Sequence, residues 1–232
     1  MPPRALEPAG VALVDKPRGP SSFAVVAQIR RMTGARTGHA GTLDPFATGL
    51  LLLLSGRATK LTPRLVGLDK RYVTEIDLTC RTSTGDPEGD VVDSHAPPEE
   101  DELTEQLGNL LGEIELPIPA ASAVKIGGER AYKLARRGVE VEMPTRRSTV
   151  YALDVLAYTG ERVTLDARVS SGTYIRSLAI ALGGHCTTLR RTEVGPFSVA
   201  AAVAPESFTP ERLLAEADVV ARVEAAGAGS AA

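Results

Sequence analysis

Residues 38–51 read Gly-His-Ala-Gly-Thr-Leu-Asp-Pro-Phe-Ala-Thr-Gly-Leu-Leu, and they constrain the chain more than any other stretch. Gly38, Gly41 and Gly49, with Pro45 and two threonines, break regular structure, so a loop is expected here. It is not an ordinary polar loop. Leu43 and Phe46 flank a lone carboxylate, Asp44, and residues 50–54 follow as five leucines that read as a buried strand. Such a loop must be pinned against a core, with one acid held at a fixed place. Pro45 drives Asp44 toward extended backbone. The bland alternative is a structural turn in which Asp44 is a local cap.

The chain has 232 residues, 43% hydrophobic and 24% charged, which suits one large domain or a domain with an insertion. A net charge of -3 does not announce an RNA partner, so such a partner has to be argued from local patches. Cys80 and Cys186 lie far apart, form no metal-ligand spacing in sequence and fit a reduced, cytoplasmic compartment. Residues 1–10 have no apolar core for a signal peptide, and residues 50–54 are too short to span a bilayer.

Taken in order, residues 11–14 read as a short buried strand and residues 15–20 as a turn. Lys16 could reach a phosphate, support a site or stay solvated. Ser21 or Ser22 can cap a helix that carries Phe23, Val26, Ile29 and Met32 at helical spacing, with Gly34 past its end and Arg30 and Arg31 on its exposed face. A short helix begins over residues 56–61. Residues 70–78 alternate, with Tyr72, Thr74, Ile76 and Leu78 on one face, so Tyr72 reads as a half-buried strand aromatic. Residues 81–90 are a turn region. Leu103, Leu107, Leu110 and Leu111 mark an amphipathic helix whose acidic start suits the helix dipole and would repel RNA.

Residues 117–143 are locally positive, with Lys125, Arg130, Lys133, Arg136 and Arg137. Gly127-Gly128 mark a hinge or tight turn, and residues 131–137 a short helix. Strands over 149–157 and 162–169 join at 159–161. Residues 170–179 form a strand-to-helix junction with Arg176 in the first helical turns. The dipole disfavours a cation there, which suggests a carboxylate partner; an exposed arginine is the ordinary alternative. A last helix is expected over 210–223, then a disordered low-complexity tail over 225–232.

Several of these stretches, in this order, resemble the bacterial tRNA pseudouridine-55 synthases, the TruB family. DKPRGPSSF is similar to the family's opening motif, with Ser21 in place of a frequent Thr. GHAGTLDPFATGLL resembles its catalytic loop, KRY its base-contacting segment and TSTGDPEG its TxTGDxEG run. Pro119, Ser122, Ala123, Lys125, Tyr132, Ala135, Arg136 and Gly138 match its thumb pattern; SSGTYIRSLA and LRRTEVGPF match two later motifs. Cys80 stands where the family usually has Gly, Ala121 where many members have Tyr, and Ala181 where an Asp is common. The segment between Arg176 and Leu189 is shorter than usual.

The resemblance covers about residues 10–200 and implies an α+β pseudouridine synthase fold: a central, mainly antiparallel mixed sheet flanked by helices. It places the catalytic domain at 10–203, with a thumb insertion at about 117–143 that folds over RNA, and a short C-terminal helix and tail at 204–232. Most members continue into a C-terminal RNA-binding domain, and the expectation here is a catalytic domain without it.

The resemblance further implies that Asp44 is catalytic, that Arg176 pairs with it and that Tyr72 lies against the target base. It assigns His39 to the gap left by the flipped base, and Tyr174 and Leu189 to the pocket wall. Lys16, Lys60, Lys125 and Arg190 are assigned to substrate contact. Arg190-Arg191 and the basic segments 57–71 and 125–137 would hold phosphates. The implied reaction isomerises the TΨC-arm uridine of tRNA, at position 55, to pseudouridine after the base leaves its stack. It needs no redox change and no group donor, so no cofactor is expected. The expected partner is the T-arm stem-loop of tRNA, with no membrane, no obligatory protein partner and a monomeric chain. An RNA-binding or tRNA-folding protein on the same scaffold, and a guide-RNA-dependent synthase, are the alternatives.

Overall fold

A computed structural model describes residues 8–122, 124–131, 137 and 142–229. They fall into two compact units: the residues up to Arg71 together with those from Arg190 onward, and Tyr72–Leu189. In chain order the elements are β1 (Gly10–Lys16), α1 (Ser22–Thr33), β2 (Thr37–His39), β3 (Thr48–Ser55), α2 (Thr62–Val66), β4 (Lys70–Asp77), β5 (Cys80–Thr82), β6 (Val91–Ser94) and α3 (Glu100–Asn109). Then come β7 (Gly112–Pro117), β8 (Lys125–Ile126), β9 (Glu129–Arg130), β10 (Thr145–Tyr158), β11 (Arg162–Val169), α4 (Ile175–Ala181), β12 (His185–Val194), β13 (Phe197–Ser198) and α5 (Glu216–Gly229). Among the described residues no helix is long and apolar enough to cross a membrane.

The first unit is built on the leucine run. Residues 50–54 show no polar alternation because β3 is buried on both faces; all five leucines are 0% exposed. β1 pairs antiparallel along its whole length, from Gly10↔Ser55 to Lys16↔Gly49. The end of β12 pairs with β3 in parallel, Arg190↔Thr48 and Arg191↔Gly49. Leu50, Leu52 and Leu54 share a core with Val11, Leu13, Ala40, Ala58, Leu65, Val194, Phe197 and Val219. The open edge of β1 is covered: Val11 exchanges two backbone bonds with Leu214, at 3.0 and 2.9 Å, and Val203 bonds Leu13 and Asp15.

Three details of this unit differ from the sequence reading. α1 is capped as expected, Ser21 Oγ accepting from the Ala24 amide and Gly34 closing the helix at φ +66°. Its buried face is nevertheless Ser22, Val25, Val26, Ile29 and Thr33, while Phe23 and Met32 are exposed. A strict three-residue spacing drifts around a helix of 3.6 residues per turn, so Phe23 and Met32 cannot share a face. Gly38 and His39 belong to β2, paired with Leu54 and Leu53, so the loop proper starts at Ala40. The last helix does not start at residue 210. A 3-10 turn over Pro210–Arg212 leads into the Leu214 bridge, and α5 then runs through Gly229, so residues 225–229 are helical rather than a disordered tail.

In the second unit β12, β4, β11, β10 and β7 are neighbours in that order. β4 alternates as its sequence predicts, with Tyr72, Thr74 and Ile76 buried. β10 and β11 form an antiparallel hairpin with two register shifts, and β7 pairs antiparallel on the other side of β10. β5 and β6 form a hairpin around the 83–90 turn. Gly127 and Gly128, at φ +57° and +89°, make the tight turn of the β8–β9 hairpin, a backbone that two glycines adopt without strain. Leu103, Leu107 and Leu110 are buried as read, but Leu111 is exposed. The thumb positions Ala123, Tyr132, Lys133, Ala135, Arg136 and Gly138, most of the 131–137 helix and residues 230–232 lie outside the described residues.

Leu52→Ala is expected to destabilise the protein by about 2–5 kcal/mol in urea unfolding, because it opens a cavity in a strand buried on both faces. Leu156→Ala, at a position 56% exposed, is expected to change stability by less than about 0.5 kcal/mol.

Candidate active site

Asp44 sits on the loop between β2 and β3, and that loop is fixed from several directions. Ala40, Leu43, Phe46 and Ala47 are buried around it, leaving Asp44 itself half-buried. The Ser22 hydroxyl accepts from the Leu43 amide at 2.9 Å and donates to the Leu43 carbonyl at 2.8 Å, using both capacities of one oxygen. The Gly19 amide donates to the Pro45 carbonyl at 2.8 Å, and the Ala47 amide to the Asp44 carbonyl at 3.2 Å.

Two buried cations complete the attachment. Lys16, the last residue of β1, is 0% exposed. Its ammonium donates to the carbonyls of Ala47 at 2.7 Å, Pro17 at 3.0 Å and Pro45 at 3.2 Å. Arg191, on β12, is 1% exposed. It donates through Nε to Leu50 O at 2.8 Å and through Nη2 to Gly41 O at 3.1 Å. Both ends of the loop thus rest on positive charge. Gly49 is required at the exit: its φ is +102°, and a Cβ there would lie 2.3 Å from the Arg191 carbonyl oxygen.

The sequence reading of three cations changes accordingly. Lys16 does not reach a phosphate, because its ammonium is buried and bonded to three loop carbonyls. Arg191 holds the loop rather than RNA. Arg190 is partly exposed and forms a two-pronged pair with Asp15, at 3.0 and 2.8 Å, so it faces a carboxylate. Within the basic segment 57–71, Arg57 and Arg64 reach Glu216 and Glu224 of α5, and Lys70 donates to the Val66 and Leu68 carbonyls. Lys60 is exposed.

His39 precedes the loop at the end of β2. Its Nδ1 is buried and has no hydrogen-bond partner among the described residues. The Phe23 ring meets it edge-on, at 5.4 Å between centroids and 83° between planes. Burial first, and then the charge of Arg191, hold its pKa below the ordinary 6.5, so the ring is neutral at pH 7.

The second unit carries Tyr72, Tyr174, Arg176 and Leu189. Tyr72 and Leu189 are buried, and Tyr174 is half-buried at the start of α4. Arg176 is 2% exposed, which removes the surface alternative. Its guanidinium donates to Thr84 O at 2.8 Å and Ala121 O at 3.0 Å, and lies 3.2 Å from Asp86 Oδ2. Asp86 is itself buried and accepts from Thr84 Oγ1 at 2.6 Å and the Glu88 amide at 3.0 Å. A carboxylate partner for Arg176 is therefore present within its own unit. Sequence reasoning missed Asp86, although the acid of the TSTGDPEG run was the available signal. Lys125 is exposed on β8.

The comparisons with known proteins give first the class and then the family. A solved structure described as a pseudouridylate synthase shares the fold at a TM-score of 0.50 and 17% identity, over 94% of this chain and 76% of that one. The chain in a crystal structure of a Cbf5-Nop10-Gar1 complex matches at a TM-score of 0.65 and 32% identity, over 84% of this chain and 52% of that one. The fold is that of the pseudouridine synthases, with mixed and mainly antiparallel strand pairing. The chain belongs to the TruB family of pseudouridylate synthases, whose N-terminal domain model matches residues 30–175. A tRNA pseudouridine synthase B from Corynebacterium jeikeium (strain K411) is 43% identical over 215 residues, 85% of this chain and 70% of its own length.

Lys16→Met keeps the stem of the side chain and removes its three bonds to carbonyls. It is expected to lower kcat about a hundredfold through a misplaced Asp44, with RNA affinity nearly unchanged in a binding titration. His39 gives a pH signature. The unfolded chain protonates His39 near pH 6.5 and the folded chain only at lower pH, so the contribution is fully present above 6.5 and is lost as the pH falls from there through the folded-state pKa. His39 should titrate below 6.5 by NMR, and His39→Phe should flatten the loss of stability on the acid side.

Proposed function

We propose that this chain isomerises the uridine at position 55, in the TΨC arm of tRNA, to pseudouridine, with Asp44 acting on a nucleotide flipped out of its stack. The observation that carries this reading is the Asp44 loop itself. A carboxylate is mounted between buried side chains on a loop that two buried cations and one serine hold in a single conformation. Catalysis by one acid needs that acid placed in advance, since tethering and orientation supply much of the rate. Membership of the TruB family and 43% identity to a tRNA pseudouridine synthase B support the same substrate.

In this reading Asp44 acts in its ionised form on the ribose or the base. The glycosidic bond breaks, the base turns, and a carbon–carbon bond to the same ribose replaces the carbon–nitrogen bond. The proton lost from the ring carbon that forms the new bond is matched by one gained at the ring nitrogen that was freed, so atoms balance without a donor or a redox partner. Tyr72 supports the base, Arg176 offsets the charge of Asp44, and Tyr174 and Leu189 line the nucleotide's pocket; these roles rest on the family resemblance. His39, flat and neutral at pH 7, suits a place in the stack that the base has left, because a neutral ring costs little to desolvate. Lys60 and Lys125 are exposed and free to approach phosphate. The substrate element is the T-arm stem-loop, and the chain works as a cytoplasmic monomer.

The likeness to Cbf5 in a complex with Nop10 and Gar1 supports a second reading, a synthase that works with partner proteins, to which the family resemblance adds a guide RNA. One experiment separates the two. The purified chain is incubated alone with an unmodified tRNA transcript, and pseudouridine is mapped. Modification at the T-arm uridine is expected, and Asp44→Asn is expected to abolish it while tRNA binding survives. Turnover by Asp44→Asn would remove Asp44 from its role, and turnover only with added guide RNA would favour the second reading.

A further inference from the structure

Within the second unit, three potential metal ligands of different chemistry converge. A carboxylate oxygen of Asp77, the Cys80 thiol and a ring nitrogen of His185 all lie within 4.8 Å of one another. Two local features bring them together. The Asp77 carboxylate accepts from the Thr79 amide at 2.9 Å and the Thr79 hydroxyl at 2.6 Å, and this turn folds Cys80 back beside Asp77. Gly184 lets the start of β12 pass close to the end of β4: a Cβ there would lie 2.2 Å from the Asp77 carbonyl oxygen. His185, the next residue, is delivered to the same place.

We infer that Asp77, Cys80 and His185 form a binding site for a borderline divalent transition ion, zinc in the first instance. Thiolate, imidazole and carboxylate together suit zinc, whose bonds to sulfur and nitrogen are about 2.3 and 2.0–2.1 Å. At those lengths a tetrahedral ion spans about 3.5 Å from sulfur to nitrogen. Cys80 Sγ lies 3.7 Å from His185 Nδ1. The other acceptors are not exhausted. Asp77 Oδ1 takes both bonds from Thr79, and Oδ2 has Arg162 Nε at 3.5 Å, which leaves lone pairs for an ion. Nδ1 also lies 3.0 Å from the Cys80 carbonyl oxygen, so ion binding at Nδ1 moves the ring proton to Nε2. The thiol proton goes to solvent as the metal–sulfur bond forms, and no electrons are transferred. Water fills the fourth position. The ion clips the starts of β5 and β12 to the end of β4, a structural role separate from the isomerisation.

The test uses the purified, metal-stripped chain without RNA, so its result is independent of the proposed activity. Cobalt(II) and zinc(II) are titrated in turn. We expect about one equivalent of cobalt bound, with a thiolate-to-cobalt charge-transfer band and tetrahedral visible absorption that zinc displaces. Thermal midpoint should rise with zinc concentration, as binding to the folded state requires. Cys80→Ala, at a half-buried position, should abolish the charge-transfer band and weaken binding by more than about a hundredfold. Should His185→Gln fail to fold, Cys80→Ala still decides. No thiolate band in the unaltered chain, or a band that persists in Cys80→Ala, overturns the assignment.

Discussion

Burying the Lys16 ammonium and the Arg191 guanidinium beneath one loop is the constraint on which the first unit depends. Removing an ion from water costs several kcal/mol even after the protein relaxes. Here fixed carbonyl dipoles replace the lost hydration. The carbonyls of Pro45 and Ala47 cannot turn away without stranding the Lys16 charge, nor those of Gly41 and Leu50 without stranding Arg191. The loop therefore has one conformation, and Asp44 inherits it. The same requirement explains why β3 lies between β1 and β12, since those strands supply the two cations, and why only glycine serves at residue 49.

The second unit solves a related problem in its own way. Arg176 is held by the carbonyls of Thr84 and Ala121, with the Asp86 carboxylate alongside. Hydrogen bonds to charged groups are worth about 1.5–3 kcal/mol each, roughly twice a neutral bond, and two forks of one guanidinium define a plane. The 83–90 turn is thus a socket. Gly85, at φ +71°, lets its backbone approach Ile180 at a distance where a Cβ would collide with the side chain.

Surface charge tells against a simple basic face. Arg57 and Arg64 are engaged by acids of α5, Arg190 by Asp15 and Arg137 by Glu129. Exposed pairs of this kind add little stability, about 0–1 kcal/mol each, but they reduce the positive charge offered to a phosphate. With a net charge of -3, any affinity for RNA would rest on exposed basic side chains outside these pairs, Arg30, Arg31 and Lys60 among the described residues, and on recognition of a folded loop.

Local pattern was enough for much of this. Alternation in residues 70–78, the caps of α1, the 127–128 turn, the buried leucine run and the isolated acid of the GTLDP loop were all legible, because each depends on neighbours in sequence. The buried state of Lys16 and Arg191 was not, since their partners lie 31 and 141 residues away and nothing local distinguishes a buried lysine from a solvated one. The same holds for the carboxylate beside Arg176 and for the meeting of Asp77, Cys80 and His185. The phase of α1 was misread because a three-residue spacing looks helical yet drifts around the true turn. The sequence by itself determined which loop carries an isolated acid and which buried strand that loop runs into. Only the tertiary structure decided which cations are buried under the loop and which stay exposed, because burial of a charge is settled by long-range carbonyl partners that no local pattern encodes.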